Sequence, residues 1–214
     1  MTVPDGYHAA RLPADPRRGV LWRALWQYYF SALIGSGDCV LDLGAGYGHF
    51  INATVARRRI AIDAWPGFLR YLDPGVEGHV GPVTELGMLE DGSVDFAFAS
   101  NLFEHLTRLD FQTTLAELAP KLAPGATLTI LQPNYRYAYR EYFDDFDHKV
   151  AYSHVSLPQY LESQGWEVFV VEPRFMPLTV QGSMPVHPLL IRVWLASPWK
   201  PIGKQMLIRA RLRR

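Results

Sequence analysis

A short apolar run that leads directly into three glycines constrains this chain more than any other feature. Residues 40–50 read Val-Leu-Asp-Leu-Gly-Ala-Gly-Tyr-Gly-His-Phe. The run is typical of a buried strand, and a helical pattern follows at residues 52–59. Because glycine has no Cβ, Gly44, Gly46 and Gly48 let the backbone turn tightly and approach a ligand closely. The pattern predicts a strand, a ligand-binding turn and a helix.

Strand-like runs and helix-like patterns alternate along the rest of the chain. We expect strands at 39–43, 60–62, 94–99, 127–131, 166–171 and 205–210, and helices at 52–59, 109–122 and 157–163. Strands that alternate with helices favour βαβ units and a parallel sheet with helices on both faces. The chain shows no repeat or low-complexity linker. We therefore expect one α/β domain over residues 1–214.

Composition excludes several other classes of protein. The 214 residues carry 21 basic and 21 acidic side chains, a balance that disfavours a nucleic-acid-binding protein. The single cysteine cannot form an internal disulfide, which predicts a reducing, cytoplasmic location. No apolar run reaches the roughly 18 residues of a membrane-spanning helix.

The residues around the glycines narrow the choice of nucleotide. Asp63 lies nineteen residues after Gly44, where a carboxylate can accept hydrogen bonds from both ribose hydroxyls. A dinucleotide-binding motif would place its third glycine at His49, and the Asp42 carboxylate would repel a pyrophosphate. S-adenosylmethionine carries a sulfonium and an ammonium group but no phosphate. The residues favour that cofactor over a nicotinamide dinucleotide.

Three segments carry a family resemblance. Residues 40–48 resemble the first motif of the class I S-adenosylmethionine-dependent methyltransferases, and Asp63 matches the ribose-binding acid of that family. Residues 91–106 resemble its fourth-strand motif, and residues 118–131 are similar to the segment that enters its fifth strand. The resemblance implies a Rossmann-like, doubly wound sheet that is mostly parallel, with an antiparallel last strand and helices on both faces.

The resemblance also implies contacts with S-adenosylmethionine. Gly44, Ala45 and Gly46 would line its methionine half, and Asp42 would orient the loop or meet the ammonium group. Asp63 would hold the ribose, although an acid here could instead cap a helix.

Further implied contacts concern the adenine and the sulfonium. Ala64 and Trp65 would flank the adenine, although Trp65 could equally be a packed aromatic. Asn101 and Leu102 would lie beneath the sulfonium. Many members place an acid after the third strand against the adenine amine; here that contact stays open between Thr84, Glu85 and the backbone.

An aromatic insertion at residues 133–158 is the candidate for acceptor binding. It follows a predicted strand at its carboxyl end, where ligands bind in open α/β sheets. Long insertions in compact domains are usually lids or binding loops. We expect either contact with a small-molecule or glycan-like acceptor or a lid packed on the domain.

Methyl transfer to a hydroxyl needs a base that removes the proton, and histidine suits neutral pH. His105, His148 and His154 are the candidates by location, although positioning alone can also drive methyl transfer. No close group of histidines and acids has metal-ligand spacing, so no metal is expected. A non-catalytic partner subunit with the same fold is the alternative function, and the oligomeric state stays open.

Two terminal features suggest weak contact with a membrane surface. Residues 17–34 predict a helix with one narrow polar stripe, which favours a mostly buried helix or one that faces a membrane or a partner. From Ile191 onward the chain carries seven basic residues and no acidic one. These residues could attract anionic lipids or form a solvated strand and tail.

Overall fold

The computed structural model describes residues 15–177 and 186–213. These residues contain a seven-stranded sheet in the order β3-β2-β1-β4-β5-β7-β6. The strands are β1 (Cys39–Leu43), β2 (Arg58–Asp63), β3 (Val76–Val80), β4 (Val94–Ser100), β5 (Leu122–Pro133), β6 (Trp166–Met176) and β7 (Gln205–Leu212). The pairs β1–β2, β2–β3 and β4–β5 are parallel, and β7 runs antiparallel to β5 and β6. The predicted mostly parallel α/β sheet with an antiparallel last strand is confirmed.

The described helices alternate with these strands. The α-helices are α1 (Pro16–Tyr28), α2 (His49–Ala53), α3 (Arg108–Lys121), α4 (Tyr135–Ala138), α5 (Ser156–Ser163) and α6 (Pro188–Ala196). Short 3₁₀ helices occupy Phe30–Ala32, Pro66–Tyr71, Phe103–His105 and Tyr142–Asp144. None of the helices in the described residues has the length and apolarity needed to cross a membrane.

The described residues divide into two compact units. The first comprises 15–83 and 186–198, and the second comprises 84–177 and 199–213. The expectation of a single domain over residues 1–214 stays a prediction.

In the first unit, α1 packs against α2 and α6. Asp15 begins α1 by accepting a hydrogen bond from the Arg17 amide. The helix ends at Tyr28, before a 3₁₀ turn, so the single helix predicted over 17–34 is wrong in its second half. The prediction that this segment is mostly buried is also too strong, because Ala24 and Leu25 are the buried residues of α1.

The predicted helix at 52–59 is also misplaced. The glycine turn ends at Gly48, and α2 begins at once and ends at Ala53. The chain must then extend, because Arg58 already pairs with Cys39 in the parallel ladder of β1 and β2. Strand pairing overrides the local helical pattern here.

In the second unit, Thr107 and Asp110 form a reciprocal cap at the start of α3. The strand β5 begins at Leu122, five residues before the predicted start at 127. Residues 123–125, which follow the end of α3 at Lys121, lie inside β5, where a bulge interrupts the pairing between Val94 and Phe96. β6 and β7 also extend beyond their predicted ends.

Candidate active site

The glycine turn is fastened to the carboxyl end of β2. Gly44, Gly46 and Gly48 have φ angles of 70°, 53° and 66°, in the left-handed region that favours glycine. The Gly44 and Ala45 amides both donate to the Ile62 carbonyl, at 2.9 and 3.1 Å. The turn is therefore held rigidly by backbone contacts with the neighbouring strand.

Asp63 adds a side-chain contact to the same turn. Its Oδ2 accepts from the Gly46 amide at 2.8 Å, and its Oδ1 accepts from the Trp65 amide at 2.8 Å. The N-cap of the following 3₁₀ helix is Trp65, so the alternative role of Asp63 as a helix cap is wrong. Each carboxylate oxygen can still accept a second hydrogen bond. Asp63 thus stabilises the turn, and its carboxylate oxygens can still accept hydrogen bonds from hydroxyl groups.

Asp42 is a buried carboxyl in the middle of β1. Its side chain accepts a hydrogen bond from the Ile51 amide, while burial and then the charge of Asp63 raise its pKa to about 8. At pH 7 such a carboxyl is largely protonated, and a positive charge close to it favours its ionised form. The site therefore favours a cationic ligand.

The space available for a side chain differs between Gly46 and Gly48. A Cβ built on Gly46 would meet no atom within 4 Å, whereas one built on Gly48 would lie 2.8 Å from Cδ2 of Leu72. Gly48 is thus required by packing. The open side of the turn is at Gly46.

Trp65 is packed within this unit. Its indole lies against the rings of Tyr47 and Tyr71, with centroid separations of 5.4 and 5.7 Å, and a Cβ on Gly67 would lie 2.5 Å from it. Ala64 beside it is half-buried. Their contact with adenine stays a prediction.

Arg18 and His49 lie near the turn, and the sequence assigned neither of them a role in binding. Arg18 of α1 is half-buried, and its guanidinium interacts electrostatically with Tyr47 and lowers the pKa of His49 in addition to the effect of burial. The Nε2 atom of His49 is buried without a hydrogen-bond partner among the described residues. Among the described residues, Arg18 forms no ion pair with a carboxylate. No motif marks Arg18, because its position depends on how α1 packs.

In the second unit, Asn101 follows β4 in a left-handed conformation, with φ of 50°. Its amide donates to the Leu131 carbonyl at 2.8 Å, and its Oδ1 accepts from Nε2 of Gln205 at 2.9 Å. Residues other than glycine that adopt a left-handed backbone conformation are common at functional sites. Leu102 beside it is half-buried, and their contact with the cofactor stays a prediction.

The adenine contact stays open. Thr84 is half-buried and Glu85 is exposed at the start of the second unit. Neither side chain makes a hydrogen bond that distinguishes it from the other.

Two of the three predicted histidines lie together. His105 belongs to the 3₁₀ helix after β4, His148 comes from the insertion, and their ring centroids are 4.7 Å apart. Nε2 of His105 is 3.9 Å from Oε1 of Glu104, which is fully buried. We call Glu104, His105 and His148 the histidine cluster. Sequence spacing does not predict it, because His148 lies 43 residues after His105.

The insertion is anchored to this 3₁₀ helix. The amides of Lys149 and Val150 donate to the Glu104 carbonyl at 2.8 and 3.2 Å. The Tyr142 hydroxyl donates to the Val150 carbonyl at 2.8 Å, which ties the two arms of the insertion together. These backbone contacts hold His148 beside His105.

His154 lies in a different environment. Its Nδ1 is 2.9 Å from Nδ2 of Asn134, and its ring stacks on Tyr137 at 5.5 Å. Burial, followed by the charges of Arg136 and Arg174, lowers its pKa. His154 is therefore neutral at pH 7 and outside the histidine cluster; a catalytic role for it stays a prediction.

The insertion combines a packed base with an exposed aromatic rim. Tyr142 is fully buried, whereas Tyr139, Phe143 and Phe146 are 55, 56 and 80% exposed. It is thus both a structured cover and a surface on which flat or ring-shaped ligands could stack.

Three of the six basic residues described in the C-terminal stretch are paired with acids. Arg211 makes two hydrogen bonds to Glu167, Lys204 pairs with Glu141, and Lys200 lies 3.6 Å from Glu172. Arg214 lies outside the described residues. Pairing reduces the charge available to a lipid surface, and membrane contact stays a prediction.

Comparison with known proteins agrees with this geometry. Residues 41–130 match the family described as methyltransferase domain. The match covers less than half of the chain. Over 99 residues the chain is 38% identical to the malonyl-[acyl-carrier protein] O-methyltransferase of Methylococcus capsulatus; the match covers 42% of this chain. The chain spans about a third, 35%, of the length of that relative.

Solved structures share the fold over nearly the whole chain. A Haloferax volcanii methyltransferase in complex with the Trm112 methyltransferase activator has a TM-score of 0.71 at 20% identity, with 100% of both chains covered. An S-adenosylmethionine-dependent methyltransferase from Archaeoglobus fulgidus has a TM-score of 0.69 at 21% identity, with 95% of this chain and 97% of that chain covered. At such identities, the likeness concerns the fold.

Proposed function

We propose that this chain transfers the methyl group of S-adenosylmethionine to an oxygen atom of a small-molecule or glycan-like acceptor. The histidine cluster carries the proposal, because it places two imidazoles beside a buried carboxylate directly after the carboxyl end of β4. In open α/β sheets, ligands bind beyond the carboxyl ends of the strands.

The first unit supplies groups that suit the cofactor. The acceptor capacity of Asp63 suits the ribose hydroxyls, and the buried carboxyl of Asp42 suits a cationic ammonium group. Gly46 leaves its side of the turn open to the methionine half. Ala45, with its amide bound to β2, would line the same part.

Arg18 and His49 suit the carboxylate of the methionine half. A guanidinium and a buried imidazole N–H are donors that an anion satisfies, and both interact with residues at the end of the glycine turn. A carboxylate bound beside Arg18 would offset the free-energy cost of burying its guanidinium.

The second unit supplies the acceptor chemistry. When bound, S-adenosylmethionine provides an electrophilic methyl group on a sulfonium. As the acceptor oxygen forms its bond to that methyl and the carbon–sulfur bond breaks, the hydroxyl proton must leave. The imidazoles of the histidine cluster are the groups that we propose to take this proton, and a histidine that accepts a proton contributes about 10²–10⁴-fold to the rate.

The name of the Methylococcus capsulatus relative supports oxygen as the methylated atom. The exposed rings of the insertion support an acceptor with a flat or ring-shaped part, since such surfaces stack on aromatic side chains. Neither argument selects one compound.

A non-catalytic partner subunit is the alternative. The Haloferax volcanii neighbour forms a complex with an activator, which shows that this fold can carry a partner. The glycine turn and its contact with Asp63 are intact in this chain, and a subunit that had lost cofactor binding would not need them.

Calorimetric titration with S-adenosylmethionine followed by a product assay tests the proposal. We expect saturable binding, and release of S-adenosylhomocysteine with some members of a panel of phenols, hydroxy acids, carboxylic acids and sugars. Labelled methyl groups located on oxygen by mass spectrometry would support the assignment. Transfer only to nitrogen or carbon would contradict it, and binding without transfer to any acceptor would favour the partner subunit.

A further inference from the structure

We propose that the histidine cluster binds one divalent transition-metal ion with the preferences of zinc. One imidazole nitrogen from His105, one from His148 and one carboxylate oxygen from Glu104 lie within 4.8 Å of one another. Zinc lies about 2.0–2.2 Å from such ligands, so the ligand atoms of a tetrahedral ion are about 3.3–3.6 Å apart. Nε2 of His105 and Oε1 of Glu104 are 3.9 Å apart, and side-chain movements of about 1 Å would bring all three residues to bonding distance.

The orientation of both imidazoles supports metal binding. Nδ1 of His105 lies 3.2 Å from the Asp147 carbonyl, and Nδ1 of His148 lies 2.5 Å from the Tyr142 carbonyl. A carbonyl can only accept, so each Nδ1 carries the proton and each Nε2 keeps its lone pair in the neutral ring. Metal-binding histidines usually show this arrangement, with the second nitrogen donating to a carbonyl or carboxylate.

The surrounding charges also suit a cation. The Glu104 carboxylate is fully buried, and a nearby divalent ion offsets the cost of removing that charge from water. The Asp145 carboxylate lies 3.8 Å from Nε2 of His148, and the Asp147 carboxylate lies 3.6 Å from Nδ1 of His105. Asp145 adds negative charge beside the proposed ion without being one of its three ligands, and Asp147 is placed to orient His105.

The ligand types select the metal. Two imidazoles and one carboxylate suit zinc, cobalt, nickel or iron(II), whereas magnesium prefers an octahedron of oxygen atoms. Three protein ligands also leave a position open, as in catalytic zinc sites.

The open coordination position suggests how the acceptor is activated, and this suggestion rests on the proposed function. An acceptor hydroxyl bound to the ion would lose its proton to solvent more readily, because the ion stabilises the oxygen anion. The histidines would then serve as ligands and would not take the proton themselves. Metal binding itself does not depend on the identity of the acceptor.

Metal titration of the full chain, with any affinity tag removed and after dialysis against EDTA, tests the inference. We expect about one equivalent of Zn²⁺ by calorimetry and elemental analysis, visible absorption bands for bound Co²⁺, and no comparable binding of Mg²⁺. His148→Gln and Glu104→Gln should each weaken Zn²⁺ binding at least about 10-fold. His79→Ala, which removes a histidine from β3, should leave it unchanged.

The outcomes separate the two proposals. If Zn²⁺ does not bind the folded chain, or binds equally to all four proteins, the metal site is wrong. S-adenosylmethionine titration and methyl transfer by the EDTA-treated protein would then show whether the histidines work without metal. Because Glu104 is buried, circular dichroism must show that Glu104→Gln is folded; if it is not, His105→Gln replaces it, with the same expected loss.

Discussion

The glycine turn and the histidine cluster are built in opposite ways. The turn and its partner Asp63 lie within twenty residues of chain, and the turn donates backbone hydrogen bonds to the Ile62 carbonyl and to the Asp63 carboxylate. The cluster joins residues 43 positions apart, through an insertion fastened to the Glu104 carbonyl. The turn is a local structure, whereas the cluster exists only when the second unit is folded.

This difference separates two kinds of expected defect. Changes in the turn should impair cofactor binding and leave the chemistry of the histidine cluster intact. Changes in the cluster should slow methyl transfer without affecting cofactor affinity. A turn variant that slows methyl transfer at unchanged cofactor affinity would contradict this expectation. So would a cluster variant that weakens cofactor binding.

The largest effect is expected from Gly46→Val. The left-handed φ of 53° disfavours any side chain, and the valine would fill the open side of the turn. We expect calorimetry to detect no binding of S-adenosylmethionine. Gly92→Val is the matched control, because Gly92 has φ of 67° and open surroundings but lies outside the turn. Both variants should lose stability, at about 1–2 kcal/mol for the strained residue, and only Gly46→Val should lose binding.

His148→Ala tests the other side of the comparison. Loss of one member of the histidine cluster should lower kcat by about 10²–10⁴-fold, whether the imidazole takes a proton or binds a metal. The dissociation constant of S-adenosylmethionine should stay unchanged. Steady-state kinetics and calorimetry on the same preparation measure both quantities, with His79→Ala as the control. An unaltered kcat would remove the cluster from the reaction.

Asp63→Ala should weaken cofactor binding by about 1.5–3 kcal/mol, or roughly 10- to 100-fold, because hydrogen bonds to a charged group are lost. Asp63→Asn keeps one oxygen acceptor for the amides of Gly46 and Trp65, so it should bind with intermediate affinity. Calorimetric titration ranks the three proteins. Equal affinities in folded variants would show that Asp63 serves the turn alone.

Arg18→Ala should weaken S-adenosylmethionine binding about 10-fold, at the lower end of a charge-assisted hydrogen bond. Arg23→Ala is the control, since Arg23 is exposed on the same helix. Decarboxylated S-adenosylmethionine sharpens the test, because it lacks the carboxylate and should bind both variants alike. A 10-fold difference that persists with this analogue would place Arg18 elsewhere.

A separate effect concerns the pH dependence of stability. The folded chain ionises Asp42 near pH 8, while the unfolded chain ionises it near 3.8. Between these values the folded state holds the extra proton, so this contribution is fully present below about pH 4 and is lost as the pH rises through 8. Urea unfolding at several pH values should show a decline that Asp42→Asn flattens. A cationic ligand favours the ionised carboxyl, so cofactor binding should release protons near neutral pH.

Local patterns predicted the core strands well. β1 and β4 match their predictions to within a residue, since continuous apolar runs of this length bury best as central strands. The start of β5 and the extent of α2 were missed, because pairing with β4 and with β1 extends the chain against its local preferences. β3 and α6 were not predicted; β3 has only partly buried and exposed residues and therefore shows no apolar signal.

The sequence by itself determined the α/β class, the glycine turn and the position of Asp63 at the end of the second strand, because hydrophobic periodicity and the need for glycine act over a few neighbouring residues. Only the tertiary structure decided that His148, and not His154, lies beside His105, and that Arg18 lies near the turn. Those positions follow from the anchoring of the insertion on the Glu104 carbonyl and from the packing of α1 on α2. Contacts between residues far apart in the chain depend on strand order and helix packing, which no local pattern encodes.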